Sequence, residues 1–215
     1  MKVQRLFSRI TLSVGCAALL LPPGLRSETE ASSSPLIGYE LVGQVLNPSA
    51  QQSLQYGYLN FVRGLDQIAT PGNPVSESTA LLMFYNDTTT ERVINNGTIR
   101  VVDRTGTGAI YFDSGNGDFS NPDTFRKGTP IQHYTLRHQV VIDTSTGYFT
   151  ATFEITVTSA KPFQIDGKTY RLGRRGQVYR LNVFGKLTQQ APPSAYIAGS
   201  ADGSGVEAFE GFGIQ

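Results

Sequence analysis

The stretch 131–159, IQHYTLRHQVVIDTSTGYFTATFEITVTS, limits the fold more than any other part of the chain. It alternates with a period of two on either side of Asp143-Thr144-Ser145-Thr146-Gly147. Tyr134, Leu136, His138, Val140 and Ile142 share one face of the first half. Phe149, Ala151, Phe153, Ile155 and Val157 share one face of the second. The opposite faces carry His133, Thr135, Arg137, Gln139, Thr150, Thr152, Glu154 and Thr156. Successive side chains of a strand point to opposite sides, so the pattern predicts two long strands and a tight turn, with one face buried and the other in water.

The remaining segments extend this into an antiparallel meander. A strand is expected over 39–46, ended by Asn47-Pro48. Residues 51–66 carry apolar weight on both faces, as does 78–86, STALLMFYN, which reads as a strand covered on both sides. Asn95-Asn96-Gly97 is a turn, because Asn and Gly tolerate positive φ. Strands over 98–103 and 109–113 are expected to flank a further turn at 104–108. An irregular stretch over 113–128 follows. Asp166-Gly167 joins 163–165 to 169–172, and Gly173-Arg174-Arg175-Gly176 leads into 177–187. Strands of about ten residues favour a closed or nearly closed barrel of about 8–10 strands; a β-sandwich is the alternative. An outer-membrane barrel also alternates, but its apolar face looks at lipid. The polar stretch after 187 and the lack of an aromatic girdle argue against it.

The domain expected from this pattern covers 36–188. From Gln189 onward Gly, Ala, Ser and Pro dominate, and 189–215 reads as a flexible tail. Its deletion is then expected to cost less than about 1 kcal/mol.

The first 31 residues have the layout of an export signal. Lys2, Arg5 and Arg9 precede an apolar run over 10–21 that Pro22-Pro23-Gly24 breaks. That run is shorter than the roughly 20 residues a membrane helix needs. Cleavage is expected near 27–31, giving a periplasmic or extracellular protein that does not span a membrane. Cys16, the only cysteine, lies inside the run, so the mature chain would have no disulfide and no thiol nucleophile. The full chain carries a net charge of +1. Cleavage removes Lys2, Arg5, Arg9 and Arg26 with Glu28 and Glu30, leaving 14 basic and 15 acidic residues and a net charge near −1. Nothing in that balance calls for nucleic acid as a partner.

Few residues carry candidate chemistry. His133 and His138, the only histidines, are five apart and fall on opposite strand faces, so they cannot share a metal ion. His138 sits on the apolar face, with Tyr134 on the same strand and Tyr179 on the apolar face of 177–187. These three are the pocket candidates. Asn116, Asp118 and Ser120 are oxygen-bearing calcium candidates, though the loop lacks the spacing of an EF-hand. Arg171, Arg174 and Arg175 form a basic cluster that could take an anion. No G-x-S-x-G motif and no paired catalytic carboxylates emerge, so no catalytic residue and no cofactor are assigned. The sequence thus supports an exported binding or scaffold protein. The alternatives are a carrier of a small apolar ligand, or an isomerase or cyclase using a barrel pocket.

Overall fold

The computed structural model describes residues 37–112, 115–189, 192–203 and 206–209. The predicted export signal over 1–31, with Cys16, lies outside the described residues, and so does Asp113. Eight strands close into an antiparallel barrel. In chain order they are β1 (Ile37–Leu46), β2 (Gln52–Val62), β3 (Leu82–Asn96), β4 (Ile99–Phe112), β5 (Thr129–Asp143), β6 (Tyr148–Ala160), β9 (Val178–Leu187) and β10 (Ala195–Asp202). A separate three-stranded sheet holds β7 (Pro162–Ile165), β8 (Lys168–Leu172) and β11 (Val206–Phe209), in the order β11-β8-β7. The barrel is therefore a meander in which β6 pairs with β9 across the β7–β8 excursion, and β10 returns to β1.

The alternation of 131–159 sorts as the sequence predicts. Tyr134, Leu136, His138 and Val140 of β5, with Phe149, Ala151, Phe153, Ile155 and Val157 of β6, are buried inside. Thr135, Arg137, Gln139, Thr150, Thr152 and Glu154 face out and are exposed. This is the reverse of a lipid-spanning barrel, whose apolar set faces outward. The sequence 78–86 is apolar on both faces because both are covered. Leu82 and Phe84 enter the barrel core, whereas Met83 and Tyr85 join Tyr56 and Phe125 in a second, outer core. Phe125 comes from a short 3-10 helix, Pro122–Arg126, and packs on Tyr56 with ring centroids 5.4 Å apart.

Two expectations are corrected. The stretch 104–108 is not a turn, since β4 runs unbroken from Ile99 to Phe112. Gly106 and Gly108 face inward at close approaches. A Cβ at Gly106 would lie 2.1 Å from the Asp87 carbonyl oxygen, and one at Gly108 2.4 Å from the Tyr134 ring. The glycines admit neighbouring groups there rather than bending the chain. Second, the stretch after 189 is not a flexible tail throughout. Ala195–Asp202 is β10, hydrogen-bonded to β9 on one side and to β1 on the other, and it closes the wall. Its Ala195, Ile197 and Ala201 are buried.

The two ends of the barrel differ. One end is plugged by the small sheet: Phe163, Ile165, Tyr170 and Leu172 share the barrel's core cluster, and Phe112 meets Phe163 with centroids 5.4 Å apart. The positive φ of Asp166 and Gly167, 48° and 75°, makes the tight β7–β8 turn that folds this plug back. At the other end, where β6 and β10 begin and β9 finishes, the interior opens to the surface.

Candidate functional site

The open end holds a cavity of about 60 Å³. Its two walls differ in chemistry because adjacent strands present paired residues on the same face. On β4 and β5 the register pairs Arg104 with His138, and both line the cavity. Ser53 and Gln55 on β2 complete this polar side, next to Thr88 on β3. The facing wall is apolar, with Phe149, Ala151 and Phe153 of β6, Val183 of β9, and Ala195 and Ile197 of β10. Val45, Ile142 and Leu187 stand at the rim.

Several polar atoms of this wall have no protein partner. Gln55 Nε2 donates to the Ser53 carbonyl at 3.1 Å, to Ser53 Oγ at 2.9 Å and to Thr88 Oγ1 at 3.2 Å. Those bonds leave Gln55 Oε1 turned away without a donor. His138 is 2% exposed, and neither Nδ1 nor Nε2 has a partner. Its ring packs edge-on against Phe153 at 4.4 Å between centroids. Arg104 Nε is likewise buried and unpartnered. Among the described residues, four such atoms thus line this one cavity. Each costs roughly 1–3 kcal/mol when left unsatisfied, so their concentration at one place is not expected of a purely structural core.

Burial pushes the His138 imidazole down to about 3, and the neighbouring Arg104 cation adds to that shift against a smaller opposing pull from Asp103. The ring is neutral at physiological pH, with one N–H to donate and one lone pair to accept. Burial also lowers the Arg104 guanidinium, with Arg100 adding like-charge repulsion. It remains a cation at neutral pH. Asp103, next in sequence, points to the outer face and is held below the usual carboxylate range by hydrogen bonds from Arg92 and then Gln139. It is engaged there and does not neutralise Arg104.

The other two pocket candidates lie in the packed interior. Tyr39 donates to Tyr179 Oη at 3.2 Å, Tyr179 donates to Gln132 Oε1 at 3.1 Å, and Gln132 Nε2 donates to the Leu172 carbonyl at 2.7 Å. Tyr134 donates to Asn86 Oδ1 at 2.7 Å. Burial raises the pKa of Tyr134 and of Tyr179, so both stay protonated. Neither lines the cavity with His138. His133 is exposed on the outer face.

The calcium candidates form a self-bonded turn. Asp118 Oδ1 accepts from the Ser120 N–H at 2.8 Å and from Ser120 Oγ at 2.7 Å. These bonds lower the Asp118 carboxyl and engage its Oδ1 within the turn. Of the anion candidates, Arg174 and Arg175 sit exposed in the turn after β8, and Arg171 lies half-buried on β8. All three are away from the cavity, where the cation is Arg104. Sequence reasoning missed Ser53, Gln55 and Arg104. A readable signal for Arg104 existed: Arg104, Gly106 and Gly108 alternate with Thr105 and Thr107, which is strand periodicity with small residues on one face.

The fold and site define a closed eight-stranded antiparallel barrel, plugged at one end, with a two-sided cavity at the other. Comparison of the chain with protein-family models, with curated proteins and with solved structures finds no match to any of them.

Proposed function

We propose that this protein is a non-catalytic binding protein that takes a small, largely apolar molecule, or one end of a longer one, into the open end of its barrel. The observation that carries this reading is the cluster of unpartnered polar atoms on Gln55, Arg104 and His138 facing the apolar wall of β6, β9 and β10. A ligand with an apolar body and one polar group would satisfy both walls at once. The enclosed volume is small beside the roughly 300–1,000 Å³ of sites for drug-sized molecules. Only a compact group fits inside, and a longer body would leave past Ile142 and Leu187. Among the described residues the only other ionisable side chain lining the cavity is Arg104, a cation that cannot serve as a base, which favours binding over an isomerase or cyclase.

The test uses N-phenyl-1-naphthylamine, a neutral fluorescent probe. Its emission is expected to rise with the wild-type protein and to fall back in Ala151→Phe, which fills the cavity from β6. Should that variant melt early, Ala195→Leu fills the cavity from β10 instead. Absence of enhancement, or equal enhancement in a folded filled variant, overturns the reading.

A further inference from the structure

Among the polar atoms of the cavity, the arginine is the most demanding. Arg104 projects inward from β4, its Nε is buried, and no carboxylate pairs with it among the described residues. The nearest acid in sequence, Asp103, is turned outward and held by Arg92 and Gln139. Arg104 is half-buried as a residue, and a partly desolvated cation beside apolar surface gains from an anion that meets it. The register sets His138 directly beside Arg104 on β5, and that ring has no protein partner at either nitrogen. An uncharged imidazole supplies an N–H donor without adding a second positive charge. Two donors, one charged and one neutral, thus stand side by side on the polar wall.

We infer that the ligand's polar group is a carboxylate, received by the Arg104 guanidinium and by the His138 N–H, with its apolar body against Phe149, Phe153, Val183 and Ile197. The inference rests on the reading of the cavity as a ligand site and adds the chemical class of the head group. Charge-assisted bonds to a carboxylate are stronger than those to a neutral hydroxyl. The cavity should therefore separate an acid from the alcohol with the same tail. Gln55 Oε1 lies on the same wall as an acceptor and would favour a hydroxyl near the carboxylate, but the discrimination is assigned to Arg104.

Isothermal titration with octanoate and with 1-octanol at pH 7 tests this, since the pair share an apolar tail and differ at the head. Octanoate is expected to bind the wild-type protein roughly tenfold or more tighter than octanol. Arg104→Met keeps the apolar stem and removes the charge. In it the preference should shrink to about one, with octanol binding retained. Arg104→Gln serves the same purpose if the methionine variant melts early. Equal binding of acid and alcohol to the wild-type protein overturns the carboxylate inference and leaves the ligand cavity standing. Binding of neither overturns the ligand reading itself. A preference for octanoate that survives loss of Arg104 overturns the assignment to this arginine.

Discussion

Tyr179 and His138 are both buried polar side chains on inward faces of long strands, yet their surroundings differ in kind. Tyr179 stands in a directed chain, Tyr39 to Tyr179 to Gln132 to the Leu172 carbonyl, in which it donates once and accepts once. That chain ties the wall to the small sheet, and Tyr179 is engaged in it both as donor and as acceptor. His138 stands against Phe153 with neither nitrogen engaged. Alternation sets the face on which a residue lies. Whether the residue stabilises the barrel or waits for a partner depends on what the other strands bring opposite it.

The largest effect expected concerns the wall on which both ends depend. Deleting residues 192–215 removes β10 and leaves one edge of β1 and one edge of β9 without a partner strand. The loss should be comparable to the whole stability of a domain, about 5–15 kcal/mol, and should appear as disappearance of a cooperative urea or thermal transition. A truncated protein that melts within a few degrees of the intact one would mean that seven strands hold both ends, and the comparison would lose its common frame.

Acid should then separate the ends. The His138 pKa is about 3 folded against the ordinary 6.5, so the unfolded chain binds the extra proton between those values. The contribution is fully present above about pH 6.5 and is lost as pH falls toward 3, amounting to up to about 5 kcal/mol. Urea unfolding from pH 7 to pH 4 should show a steeper decline for the wild-type protein than for His138→Leu. Using the difference cancels the carboxylates common to both proteins. Parallel declines would show that His138 is solvated, and the cavity wall would have to be redrawn.

A matched pair of polar deletions sharpens the contrast at neutral pH. Tyr179→Phe strands Gln132 Oε1 and the Tyr39 hydroxyl, and should cost roughly 1–3 kcal/mol. His138→Leu removes a group with nothing to lose, and should stay within about 1 kcal/mol of the wild-type protein or exceed it. Equal costs in urea titrations would erase the distinction between the ends.

The barrel was legible where the polar pattern is strict. The hairpin 131–159 predicted β5, β6 and their turn, and its faces are those observed. Strand β10 was hidden because three of its four inward positions, Ala195, Gly199 and Ala201, are small. A Cβ at Gly199 would come within 2.5 Å of the Asn182 carbonyl oxygen and 2.7 Å of Val183. A wall this tight selects Gly and Ala, which also compose flexible tails. The site was half legible. His138 stands out by its place in an apolar series. Gln55 and Arg104 reach it only through the registers of β2 with β3 and of β4 with β5, and no local pattern encodes such distant pairing.

The closing seam between β1 and β10 has a consequence for how the chain reaches its native state. The Asn47 N–H is held by Ser194 Oγ, 147 positions further on, while the pairings from β1 through β6 are successive hairpins. Those hairpins can zip locally and early, but the ring cannot shut until the last barrel strand has been synthesised. Until then β1 and β9 offer bare edges to any other strand nearby. Folding should therefore be limited by one late, long-range closure, which makes for slow assembly. A nascent chain stalled before residue 195 is the species in which intermolecular pairing would begin.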